Sequence, residues 1–167
     1  MSESNIPAIP PTEVTTAFQS AAITALQELT QIEACPESIL PTRENMPSEG
    51  VVLATIQLLR HASGTMTLVL TAKTASQLAA RYLPAGTLLT EELVDDVAGE
   101  FANVIAGQAK TILKGTTYHF GMSTPIVTRA ASPAQFYIVS EVSCAIPVAS
   151  ELGRVLVLLD LLPCHDA

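Results

Sequence analysis

Between Thr90 and Gly115 the chain carries the run EELVDDVAGEFANVIAGQAKTILK, whose apolar residues return at helical spacing. No other stretch restricts the fold as much. Val94, Val97, Phe101, Val104, Ile105 and Ile112 gather on one side of a helix, so that side has to lie on a core. Thr90 is a capping residue, Glu91 and Glu92 sit in the first turn where the helix dipole favours them, and Gly115 follows the end as a C-cap glycine. At about 100° per residue, Asp96, Glu100, Asn103 and Gly107 fall within about 60° of one another on the side away from the core. A face that only needed solvation would be filled with Glu, Lys, Gln or Arg. Asn and Gly each cost about 0.5–1 kcal/mol relative to Ala in a helix interior, so this stripe serves something other than helix stability.

The rest of the chain supplies what such a helix needs to pack on. Thr12 is positioned to cap an earlier helix through about Leu29, with Ala17, Phe18, Ala21, Ile23, Ala25, Leu26 and Leu29 as packing residues. Its near lack of charge implies burial on most sides or contact with a second subunit. Residues 35–50, CPESILPTRENMPSEG, read as an irregular connection broken by prolines. Val51–Leu59 and Thr65–Ala72 read as strands joined by a loop RHASG, the second alternating Met66, Leu68 and Leu70 against Thr65, Thr67, Val69 and Thr71 as a half-buried strand would. A short helix follows from Thr74 to about Leu83. Beyond the long helix, Tyr118–Thr124, PIVTRA, AQFYIVSEVSCAIPV and GRVLVLLDLL read as strands. A long helix followed by strands thus occurs twice. The mixed order implies one α/β sandwich with a largely antiparallel sheet.

Charge and chemistry narrow the function. With 167 residues, a net charge of −8 and eight Lys and Arg scattered along the chain, there is no basic patch to receive a phosphate backbone, so nucleic acid is not an expected partner. Cys35, Cys144 and Cys164 are odd in number and form no C-x-x-C pair, which points to reduced thiols and a cytoplasmic protein. The opening MSESNIPAIPPTE has neither a basic nor an apolar leader segment, and no apolar run is long enough to span a bilayer, so neither export nor membrane insertion is expected. No His or Cys cluster has metal-ligand spacing. His61, His119 and His165 read as isolated, and Ser123 lacks the G-x-S-x-G setting of a nucleophile.

The order Asp96, three residues, Glu100, two residues, Asn103, twenty-one residues, Pro125 resembles the signature of the CheC, CheX and FliY chemotaxis phosphatases. The surrounding VAGEFANVIAGQAKTIL and FGMSTPIV are similar to that family's helix and the strand after it. The resemblance implies a CheC-like fold with two long helices on the sheet. It divides the chain into a flexible segment 1–11, a CheX-like phosphatase domain 12–162 and a tail 163–167. It also implies a phosphatase for the phospho-aspartate of a CheY-like response-regulator receiver domain. Glu100 and Asn103 would be catalytic, with Asp96, Gly107 and Pro125 supporting them. No cofactor of its own is implied: Mg²⁺ belongs to the phosphorylated receiver. CheX-like members also imply a homodimer.

The chemistry suits these residue types. A receiver already holds the phosphoryl group and its metal, so what remains to be supplied is a water in line for attack. The Asn103 amide can donate and accept, Glu100 can pair with a receiver lysine, and Gly107, with Ala106 and Gly99, keeps the helix slim for close approach. On the first helix, Glu28-x-x-Gln31 imitates the motif near the helix end, but the register of a second site reads TTAFQSAAI from Thr15, with no Glu or Asn. One site per chain follows. The alternative is a non-catalytic CheX-like scaffold that keeps the helix without turnover.

Overall fold

The computed structural model describes residues 10–39, 47, 49–131 and 144–163. Three helices, α1 (Thr12–Thr30), α2 (Ala72–Tyr82) and α3 (Glu91–Ile112), lie on one face of an antiparallel sheet built from seven strands among the described residues. The strands are β1 (Ala34–Pro36), β2 (Val51–Leu59), β3 (Ala62–Thr71), β4 (Gly121–Met122), β5 (Ile126–Ala130), β6 (Cys144–Ser150) and β7 (Gly153–Pro163). They run β1-β6-β7-β3-β2-β4, with β5 also pairing β2. This is the expected α/β sandwich.

Between the layers, Phe18 and Leu26 of α1 and Phe101 and Ile105 of α3 meet Ile56, Leu68, Val157 and Ile146 of the sheet in one core. Phe18 stacks on Phe120 with ring centroids 5.8 Å apart. The alternation expected of a half-buried β3 fails, because Thr67 and Val69 are as buried as Met66 and Leu68. Val69 joins Val51, Leu53, Ala145, Leu156 and Leu158 in a second cluster on the sheet's other face. A strand apolar on both sides is buried on both sides.

Several local expectations are corrected. Thr12 does not cap α1: Pro11 takes that position, its carbonyl accepting from the amides of Val14 and Thr15. Within the chain α1 is buried on one side, not on most sides, which leaves the alternative of contact with a second subunit open. Thr16, Ser20, Thr24 and Gln27 are exposed together with Glu13 and Glu28, so its outer face is polar and lightly acidic. The β2–β3 link is not RHASG but Arg60–His61, with Arg60 in the left-handed region at φ 82°, because β3 already pairs β7 from Ala62 although it meets β2 only from Gly64. The supposed strand Tyr118–Thr124 shrinks to Gly121–Met122. Cys35, assigned to an irregular connection, belongs to β1, which pairs with β6. The expected AQFYIVSEVSCAIPV strand is seen only from Cys144; its first part lies outside the described residues.

Candidate functional site

Helix α3 starts where predicted, with the Thr90 hydroxyl accepting from the Leu93 amide at 3.2 Å and Glu91 and Glu92 in its first turn. Gly115, at φ 84°, turns the chain two residues beyond the Leu113 cap. The helix has three working faces. Val94, Val97, Phe101 and Ile105 are buried with the alanines Ala98, Ala102, Ala106 and Ala109. Ile112 is not part of that face and stands 53% exposed. Ala106, expected to slim the outer side, is fully buried. Asp96, Glu100 and Asn103 are exposed and Gly107 is partly so, as the stripe predicted.

The third face was not foreseen. Asp95 and Gly99, one turn apart, meet β5. A Cβ built on Gly99 would lie 3.3 Å from Val127 Cγ2 and 3.5 Å from Pro125 Cγ, so glycine lets the helix sit directly on that strand. Arg129 of β5 donates from Nε at 2.9 Å and Nη2 at 2.8 Å to Asp95 Oδ1.

Pro125 reaches α3 because the sheet edge bulges there. Leu58 pairs with Met122 and Thr55 with Ile126, so β2 advances three residues while its partner advances four. Ser123 bridges the gap: its amide donates to the Gln57 carbonyl at 3.0 Å, and its hydroxyl accepts from the Gln57 amide at 2.9 Å. The serine is a substitute rung of the ladder, and Thr124 and Pro125 bow toward the helix. Pro125, lacking an amide hydrogen, leaves no donor orphaned in the bulge.

The result is an open cleft of about 310 Å³ lined by Asp95, Asp96, Gly99, Glu100, Asn103, Thr124, Pro125 and Val127. Four of the five residues singled out in the sequence, Asp96, Glu100, Asn103 and Pro125, come together here, and Gly107 continues the stripe one turn on. Asp95, Arg129 and Thr124 were missed; Gly99 was noted only for its size. Among the described residues, no ion pair forms with Asp96 or Glu100 and no hydrogen bond involves the Asn103 side chain, although Asp95 is paired. A Cβ on Gly107 would have nothing within 4 Å. A carboxylate and an amide therefore stand side by side, uncommitted, on an exposed helix.

No group of three or more potential metal ligands occurs among the described residues. The decoys of the first helix are otherwise engaged. Glu28 Oε2 accepts from Gln108 Nε2 at 2.9 Å, and Gln31 lies past the helix end at φ 60°. In the TTAFQSAAI register, the Gln19 amide donates to the Glu37 and Pro147 carbonyls. His61 and His119 are not isolated; their rings stack with centroids 5.9 Å apart. His165 lies outside the described residues.

Solved structures that share this architecture include chemotaxis proteins. CheX of Vibrio vulnificus superposes with a TM-score of 0.72 at 22% identity, covering 93% of this chain and 100% of its own. CheX of Desulfovibrio desulfuricans gives 0.73 at 21%, covering 91% and 99%. The CheX–CheY–BeF3–Mg²⁺ complex of Borrelia burgdorferi gives 0.62 at 16%, covering 87% and 96%. The class is thus the CheC-like sandwich. Residues 52–149, more than half of the chain and including all of α3, match the family described as chemotaxis phosphatase CheX, and the chain belongs to that family. No curated protein sequence matches it.

Proposed function

We propose that this chain accelerates hydrolysis of the phospho-aspartate on a CheY-like receiver domain, in the cytoplasm and as a homodimer, by laying α3 against the receiver's active site. The observation that carries the reading is the uncommitted pair Glu100 and Asn103 on the exposed stripe beside Pro125. An enclosed hydrolase would surround its substrate, whereas this cleft is open and acidic and needs a second surface to complete it. The relative solved with CheY, BeF3 and Mg²⁺ supports a receiver as that surface.

In the reaction the Asn103 side chain orients a water in line with the phosphorus, its carbonyl oxygen accepting from the water. The water adds as the bond to the aspartyl oxygen breaks, giving free aspartate and inorganic phosphate. Asn is a poor base, so its contribution is position and not proton abstraction. Glu100 docks on a receiver lysine. Mg²⁺, held by the receiver, spreads the phosphoryl charge, and this chain supplies no ligand to it. Asp96 supports the stripe from one turn before Glu100, and Pro125 forms the wall behind it.

The test is the decay of receivers phosphorylated with a small phosphodonor, followed with and without this protein. Faster decay of at least one receiver is expected. Tight binding with unchanged decay across the receivers tested would favour the scaffold reading instead.

A further inference from the structure

We infer that Arg129 is a positioning residue: by gripping Asp95 it holds α3 on β5 and fixes Glu100 and Asn103 at a set distance from the Pro125 wall. The inference rests on the reading of α3 as the catalytic helix.

The two sides of the cleft are carried by different kinds of element. Glu100 and Asn103 belong to a helix of 22 residues anchored in the core. Thr124 and Pro125 belong to a bulged connection leading into β5, a strand of five residues that pairs with β2 alone among the described residues. The ladder to β2 and the two Ser123–Gln57 hydrogen bonds hold that segment in the sheet, while its contacts with α3 set how closely its cleft side approaches the helix. Two contacts close the seam. One is the glycine approach, Gly99 against Pro125 and Val127. It limits how near the strand can come, but dispersion across so small a contact does little to keep it from moving away. The other is the Arg129–Asp95 pair, which limits separation, and it lies one helical turn from Gly99. Stop and tether together define the gap.

The pair has a second consequence. Asp95, Asp96 and Glu100 place three carboxylates around the cleft, and Arg129 engages the one on the seam. Asp96 and Glu100 are left for the partner. Both members of the pair keep about a third of their side-chain surface exposed, 32% for Arg129 and 30% for Asp95, so it is a weak contributor to overall stability. That separates positioning from structural support: losing the tether should move the site without unfolding the chain.

The experiment compares wild type with Arg129→Gln and Arg129→Lys in the full-length chain. The side-chain amide resonance of Asn103 and hydrogen exchange in β5 are followed by NMR, beside receiver dephosphorylation. Arg129→Gln should shift the Asn103 resonance, speed exchange of the β5 amides and lower the saturating rate about tenfold, with KM within about twofold. Its melting temperature should stay within about 3 °C of wild type. Arg129→Lys, which keeps the charge, should restore most of each. An unmoved Asn103 resonance and unchanged β5 exchange in Arg129→Gln would overturn the inference, as would an Arg129→Lys variant no better than Arg129→Gln. A wild-type protein that dephosphorylates no receiver would defeat the functional reading, while resonance and exchange would still decide the tether.

Discussion

Gly107 is the residue whose presence the chain itself least explains. It lies within a helix, at a cost of about 0.5–1 kcal/mol relative to alanine, yet a methyl group there would touch nothing. Glycines kept for internal packing look like Gly99, with side chains waiting at van der Waals distance. The reason for Gly107 therefore lies outside the chain, and the two explanations give opposite signs. Gly107→Ala should raise stability by about 0.5–1 kcal/mol in urea denaturation and still weaken acceleration of receiver decay. Equal or better activity in the stabilised variant would remove Gly107 from the docking surface. Glu100 is distinguished by charge: Glu100→Lys should weaken receiver binding more than Glu100→Gln, because a docking carboxylate turned cationic repels a partner lysine. Titration of labelled receiver with each variant measures the difference, and equal affinities would exclude Glu100 as the docking group.

Cys144 shows the opposite condition, a reactive group silenced by its surroundings. Burial, aided by the charge of Asp160, pushes its thiol up to about 12 from an ordinary 9.0. Below pH 9 the folded and unfolded chains both keep the proton and nothing is gained or lost. Above it the unfolded chain ionises alone, so this thiol's contribution to stability falls progressively between about pH 9 and 12. A Cys144→Ala variant should show a shallower alkaline loss of stability. Alkylation of the native protein at neutral pH, mapped by mass spectrometry, should mark the exposed Cys35 well before Cys144.

At the scale of elements, the seam between α3 and β5 makes the site, and it marks where sequence reading succeeds and where it stops. The exposed stripe was legible because the positions of Asp96, Glu100, Asn103 and Gly107 follow from the period of a single helix. So was the cap at Thr90. The bulge at Ser123–Pro125 was not, because an extra residue in a ladder appears only when β2 is set against the chain some seventy residues on. For the same reason, Asp95 read as one more acidic residue until β5 brought Arg129 to it. Local signals also misled: Gly64 and Ser63 looked like loop residues, although they pair with Leu161 and Leu162. The motif's distant proline acquires a physical role only in three dimensions, as the surface on which Gly99 rests. A side chain at Gly99 should prise this seam open. Gly99→Val should destabilise the chain by about 1–3 kcal/mol in urea denaturation, the usual range for overpacking, and slow receiver dephosphorylation. Wild-type stability and rate together would mean that the seam has slack.

Taken whole, the described residues form an α/β sandwich that leaves the α3 stripe without partners of its own. The chain's acidity, with net charge −8, suits a partner presenting a lysine and a metal ion, and discourages nucleic acid. No described helix is long and apolar enough to cross a membrane. If the receiver carries the metal, the isolated chain should bind no Mg²⁺ stoichiometrically and its melting temperature should be indifferent to millimolar Mg²⁺, since a ligand stabilises only a fold that binds it. Calorimetric titration checks this, and a site lost on Asp96→Asn or Glu100→Gln would point to a metal-dependent hydrolase. Sedimentation equilibrium tests the homodimer. The central claim, that an uncommitted asparagine completes a partner's reaction, is tested most directly by Asn103→Ala at saturating phosphorylated receiver, with affinity measured alongside. The account predicts a rate lowered about 10²–10³-fold with binding and folding intact, the loss typical when one preorganised contact to the reacting centre is removed. A wild-type rate at saturation would contradict it.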